Sequence, residues 1–237
     1  PGPLTIVLQK TPLIPDLVTS GLPTVAVRMP AHDMALSLIR ACGVPLCAPS
    51  ANPFGYVSPT RAEHVVEQLG ALVDRVLDGG PCAVGIESTI VDVTDGAPRI
   101  LRPGVITAEA LSLVLGEDVC RRTSHRAPLA PGMLPRHYSP RVPIALFEGT
   151  IPAAPGNAAG LLLQGPREVP AGYALVEVLS RNGDPAEVAH HLFAALRQLD
   201  RKDLDILVVE LADERGIGRA INDRLRRAGC RDGADQG

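Results

Sequence analysis

Five short stretches hold the side chains best suited to chemistry. The first is Ala48-Pro-Ser-Ala-Asn52 with Pro-Phe-Gly55 and Ser58-Pro-Thr60, placed directly after the apolar, strand-like run 44–48. Small hydroxyl and amide groups at a strand end can present donors to a ligand, and a helix opening at Thr60 adds unpaired N–H groups suited to an anion. A plain Ser/Asn/Pro/Gly turn before a capped helix has the same composition. The second is Gly79-Gly80-Pro81-Cys82 with Gly85-Ile-Glu-Ser88-Thr89, where glycines allow close backbone approach and Ser88 and Thr89 offer hydroxyls. Third, Leu101-Arg102-Pro-Gly104 puts an arginine at a strand end, either as a fork for phosphate or carboxylate or as a solvated side chain beside a turn. Fourth, the run Thr24-Val-Ala-Val-Arg28 ends an alternating strand on an arginine, which could enter a site or make a surface ion pair. Fifth, Arg136-His137-Tyr138 sits in Pro-rich sequence, as a lid over a site or as a docking patch between domains.

The elements that must position these residues alternate. Leu4–Leu8 and Thr24–Arg28 read as strands, and Ala35–Ala41 as a helix, its apolar spacing running through Cys42 and ending at Gly43. Thr60-Arg-Ala-Glu63 has the form of a capping box opening a helix that ends at Gly70. Residues 75–77, 88–93 and 100–101 read as strands, with Asp95-Gly96 as a hairpin turn, and Thr107 opens a helix through Leu115. Strands at 144–147, 160–163 and 204–211 alternate with helices at 186–199 and 218–228. This pattern predicts a mixed α/β body over 1–119, a Pro-rich linker over 120–143 and a small α/β domain over 144–237.

Composition narrows the classes. The chain has 237 residues, 46% of them hydrophobic, enough for a sizeable core. Its net charge of −3, its three Phe and three Tyr, and its lack of Trp disfavour a strong nucleic-acid surface. Only Lys10 and Lys202 are lysines, so an anion site must rely on arginine forks and backbone N–H groups. A P-loop is excluded, no apolar run approaches the ~20 residues of a membrane helix, and no His/Cys spacing suggests a metal cage. The five cysteines show no C-x-x-C and read as reduced thiols of a cytoplasmic protein, mostly buried. No side chain stands out as a nucleophile.

Taken in order, Pro1-Gly-Pro-Leu-Thr5, Val27-Arg-Met-Pro30, Pro49-Ser-Ala-Asn52, Ser58-Pro-Thr60, Gly85-Ile-Glu-Ser-Thr89 and Leu101-Arg-Pro-Gly104 resemble the YrdC-like family. The linker Pro131-Gly-Met with Arg136-His-Tyr-Ser-Pro140, and the late Gly216-Ile-Gly with Asn222-Asp-Arg-Leu225, resemble its two-domain branch, the L-threonylcarbamoyladenylate synthases. The resemblance implies a mixed-sheet α/β body and a small Rossmann-like C-terminal domain. It also implies a nucleotidyltransferase that makes threonylcarbamoyl-AMP and pyrophosphate from L-threonine, bicarbonate or CO2, and ATP with Mg2+. That product feeds a downstream threonylcarbamoyl transferase acting on tRNA. By this resemblance Arg28, Ser50 and Ser88 match threonine-binding positions, and Thr24, Asn52, Thr60, Arg102 and Tyr138 match ATP-binding positions. Family members carry a further Lys-x-Arg stretch ahead of the Pro-Gly-Pro element. Nothing here matches it, so the body is expected to be incomplete at its N-terminus. A carbamoyl-transfer enzyme and a non-catalytic RNA- or ribosome-binding module are the alternatives.

Overall fold

The structure is a computed structural model, and residues 1–121 and 136–230 are described. The body of the predicted linker, 122–135, lies outside them. The chain separates into two compact units that do not follow sequence order: 1–49 with 87 onward form one, and 50–86 with 136–230 the other.

The first unit is built on a five-stranded mixed sheet in the order β2-β1-β3-β4-β5. Its strands are β1 (Leu4–Gln9), β2 (Thr24–Val27), β3 (Thr89–Asp92), β4 (Arg99–Arg102) and β5 (Cys120–Arg121). β1 runs antiparallel to β2 and parallel to β3, pairing Leu4 with Thr89. This brings the Pro-Gly-Pro start of the chain beside Ser88-Thr89, sealed by Thr89 N–H donating to the Pro3 carbonyl at 3.0 Å. β3 and β4 form the hairpin expected of Asp95-Gly96, with Gly96 at φ 88°. A short helix α1 (Asp16–Thr19) follows β1. Helix α2 (Asp33–Cys42) ends on Gly43 in the left-handed region, as its spacing predicts. A third helix of this unit, Ala108–Leu115, is capped by Thr107, whose hydroxyl accepts from Ala110 N–H. The small core gathers Val91, Ile100, Leu111 and Val119. By contrast α2 buries none of its residues, and Ile6, Leu8, Val27, Met29 and Met34 stay exposed.

The second unit carries a four-stranded parallel sheet from Ile144–Phe147, Ala159–Leu163, Leu175–Val178 and Ile206–Glu210, numbered β6 to β9, in the order β6-β9-β7-β8. All five residues of β7 are buried, which explains its continuous apolar run. β8 alternates half-buried and exposed residues and escaped the sequence reading because Leu175–Val178 is short and carries Glu177. Taking Ala62–Leu69 as α3 and Ala108–Leu115 as α4, the long helices here are α5 (Pro185–Leu199) and α6 (Gly218–Gly229). Asp184 caps α5 by accepting from Ala186 N–H, and Pro185 begins it without losing a bond. Val188, Leu192, Leu196 and Leu199 form the buried stripe anticipated for this helix.

Three local expectations are corrected. Residues 44–48 and 75–77 are not strands: neither run pairs with a neighbour among the described residues. α3 starts one residue later than a Thr60 capping box requires, with Arg61 at the N-cap and no side-chain cap. There His64 takes the part expected of Glu63, its Nδ1 accepting from Thr60 N–H at 3.1 Å. The cysteines are free but not mostly buried: Cys42, Cys47, Cys82 and Cys120 are exposed, and Cys230 is half-buried. Cys42 closes the unburied α2, and Cys47 and Cys82 lie in irregular segments, so no core forms around them.

Candidate functional site

The sequence-selected residues fall into both units. In the first, β1 and β3 put Thr5 and Ser88 side by side, their hydroxyls sharing a 2.7 Å hydrogen bond. Arg102, the last residue of β4, crosses to them: Nε and Nη2 donate to the Ser88 carbonyl at 3.2 and 3.0 Å, and Nη2 to its hydroxyl at 3.2 Å. It is only 6% exposed, so the solvated-arginine alternative fails. Burying a guanidinium is costly unless its donors are paired, and here the peptide and hydroxyl of Ser88 accept from them. Gly104 packs directly on this corner, since a Cβ there would lie 2.4 Å from Thr89 N. Any larger residue would push the β4 exit off Ser88-Thr89. Thr24 lies half-buried on β2 opposite Gln9, and Arg28 follows that strand with an exposed side chain. Thus Thr5, Ser88 and Arg102 form one buried polar cluster, with Thr24 and Arg28 along β2 outside it. Thr5 closes the Pro1-Gly-Pro-Leu-Thr5 motif but drew no site role from the sequence, because its partner Ser88 lies 83 positions away.

In the second unit, the segment 50–60 has no regular secondary structure and is fixed by side chains instead. Ala51 takes a left-handed φ of 56°. Asn52 Nδ2 donates to the carbonyls of Pro53 at 2.9 Å and Tyr56 at 3.0 Å, leaving the buried Oδ1 without a partner among the described residues. Ser50 is exposed and Thr60 buried, its carbonyl accepting from Cys82 N–H at 2.9 Å. The His64 imidazole that accepts from Thr60 N–H is held below its ordinary pKa, first by burial and then by the Arg197 charge. Its neutral form keeps the acceptor that this bond needs.

Tyr138 is 1% exposed with a positive φ of 63°. Its ring stacks on Phe193 of α5, centroids 5.4 Å apart, and the Arg224 guanidinium of α6 lies 5.5 Å from its centroid. Next to it, Ser139 N–H donates to the Gly55 carbonyl at 2.8 Å and His137 N–H to the Arg227 carbonyl at 3.2 Å. The Arg-His-Tyr cluster therefore docks onto helices α5 and α6 and touches the 50–60 segment. Arg136 is exposed.

A cleft of about 440 Å³ opens elsewhere in this unit, beyond the carboxyl ends of β6 and β9. Glu148, Glu210, Asp213 and Glu214 line it with Arg167, a charge unsuited to a nucleotide phosphate, and no sequence-selected residue reaches it. Among the described residues no group of three His, Cys, Asp or Glu side chains is placed to hold a metal ion. No described helix is long and apolar enough to cross a membrane.

These features define a two-sheet α/β protein whose loops present hydroxyls, amides and arginine forks rather than a nucleophile. A family model described as "Telomere recombination", for Sua5, YciO and YrdC proteins, matches residues 1–104. A second, described as "Threonylcarbamoyl-AMP synthase, C-terminal domain", matches 106–230. Threonylcarbamoyl-AMP synthases of Pyrococcus abyssi and Bacillus subtilis are each 39% identical, over 96% of this chain and 70% of theirs. The crystal structure of P. abyssi Sua5 complexed with L-threonine superposes with a TM-score of 0.84 at 36% identity, covering 97% of this chain and 71% of that one. The chain belongs to the Sua5 family of threonylcarbamoyl-AMP synthases, enzymes of the nucleotidyltransferase type that serve tRNA modification.

Proposed function

We propose that this chain condenses L-threonine, bicarbonate (or CO2) and ATP into threonylcarbamoyl-AMP, releasing pyrophosphate. The product passes to a downstream threonylcarbamoyl transferase that modifies tRNA in the cytoplasm. The observation that carries this reading is the 39% identity to threonylcarbamoyl-AMP synthases along 96% of the chain, across both family domains. The threonine amine adds to the carbon source to give a carbamate, with water leaving when the source is bicarbonate and a proton leaving when it is CO2. A carbamate oxygen then attacks the α-phosphorus of ATP, which arrives as its Mg2+ complex, and pyrophosphate leaves.

This chemistry asks the protein to position and to neutralise charge, not to form a covalent intermediate. Arg28, exposed at the end of β2, supplies a fork for the threonine carboxylate. Ser50 and Ser88 supply hydroxyls for the amine or carbamate, Ser88 being held in place by Arg102 and Thr5. Thr24, Asn52, Thr60, Arg102 and Tyr138 serve the nucleotide. The unpartnered Asn52 Oδ1 suits a ribose hydroxyl or the adenine amine. For Tyr138 to cover a nucleotide, its ring must first leave Phe193 and Arg224.

The test is thermal. ATP and threonine, each at about a hundred times its dissociation constant, each stabilise by roughly 2.7 kcal/mol and together raise the melting temperature most. Neither alone reproduces the full effect. No shift, combined with RNA binding that weakens steeply with salt, overturns the synthase reading in favour of a binding module.

A further inference from the structure

Helix α5 belongs by sequence to the C-terminal domain, and one of its stripes is not spent on that domain's core. Arg197, 4% exposed, sends Nε to the Ser58 carbonyl at 3.1 Å and Nη2 to the Val57 carbonyl and to Gln68 Oε1, the last at 2.8 Å. Its guanidinium also lies 5.1 Å from the Tyr56 ring centroid. Asp200, at the end of the helix, accepts from the Tyr56 hydroxyl at 2.6 Å. Its other oxygen accepts from Arg141 and Val142 N–H at 2.6 and 2.9 Å. Arg201 pairs with Glu67 of α3. Nearer the start of α5, His190 Nδ1 bonds the Ala83 carbonyl at 3.0 Å. Gly85 lies so close that a Cβ would sit 2.3 Å from the His190 carbonyl oxygen. Residues 190 and 197 lie seven apart, the spacing that keeps side chains on one helix face, and Arg201 follows just past the helix end.

We infer that α5 is a positioning element for the 50–60 segment and its neighbour 79–86, with Arg197 as the principal positioning residue. The inference rests on the reading of Ser50, Asn52 and Thr60 as substrate-binding residues, and it assigns the C-terminal domain a part in catalysis. A segment without helix or strand has no ladder of its own to hold its peptides. The Arg197 fork supplies the missing constraint by capturing two successive carbonyls. An apolar residue would fill the same volume without the cost of burying a charge, but it could not fix the direction of two peptide planes. Lysine keeps the charge and loses the fork.

The experiment compares the full chain with its Arg197→Lys variant by amide hydrogen exchange and by titration with ATP alone. Amides of residues 55–60 exchange at least tenfold faster in the variant, while β7 and β9 keep their protection. ATP affinity falls about tenfold. Unchanged exchange at 55–60, or equal acceleration in β7 and β9, overturns the proposal, the second outcome marking a merely structural residue. Should Arg197→Lys fail to fold, Tyr56→Phe makes the same comparison, since it removes only the hydroxyl bonded to Asp200. Exchange then quickens at 53–58 alone, and absence of that local change overturns the proposal. If the unsubstituted chain does not bind ATP, the synthase reading fails while the exchange data still judge the role of α5.

Discussion

Arg102 and Arg28 look alike in sequence, each closing a strand before a proline-containing turn, yet their surroundings separate them. Arg102 is enclosed and bonded to Ser88, and Arg28 is exposed. An enclosed arginine sets the geometry of its neighbours, and an exposed one can receive a carboxylate. Arg28→Ala is therefore expected to abolish threonine-dependent pyrophosphate release without lowering the melting temperature, and near-normal release would refute the threonine assignment. Glycine contributes at this scale too. Gly85, at φ 85°, is pressed against the α5 backbone, whereas Gly80, at φ 83°, has nothing near its missing Cβ. Gly85→Ala should cost about 2 kcal/mol or more from overlap and backbone strain together. Gly80→Ala should cost about 1 kcal/mol from strain alone, and denaturant unfolding of the two variants measures the difference. The motif showed both glycines, but only the fold shows which one has a neighbour.

Helix α3 carries a pH dependence that its sequence hides. The capping box read into Thr60 and Glu63 is not formed, and His64 accepts the Thr60 N–H. The folded state lowers the His64 pKa from its ordinary value near 6.5, chiefly by burial and next by Arg197. Below that value the unfolded chain binds the proton more readily than the folded one, so stability is full above about 6.5 and falls as pH drops from there toward the folded pKa. Melting temperature should thus decline on acidification through this range, and His64→Gln should flatten the decline. The other helices were more legible. α2 and α4 show their ends because Gly43, Thr107 and Gly116 act locally, through a left-handed turn or a side chain reaching its own first turn. Histidine at position 64 has no comparable sequence signature, since what matters is the burial that lowers its pKa.

At the scale of the molecule, family domains and compact units divide the chain differently. The family models meet near residue 105, but 50–86 packs into the unit that contains the C-terminal sheet. A fragment ending at residue 119 should therefore leave 55–58 without Arg197, Asp200 and Ser139, and amide exchange there should approach that of an unfolded chain. Protection equal to the full chain's would show that the segment holds itself. The sequence by itself determined most of the elements, the two α/β parts and the family, because periodicity, capping residues and ordered motifs are written in neighbouring positions. It also singled out Ser88, Arg102, Asn52 and Thr60 as residues able to contact a ligand. Only the tertiary structure decided that Ser88 is gripped by Arg102 and Thr5, that the Tyr138 ring is stacked inside the second unit, and that α5 holds the 50–60 segment. The physical reason is separation along the chain: Arg197 reaches the Ser58 carbonyl across 139 positions. A backbone acceptor leaves no mark of its own on the residue type that carries it.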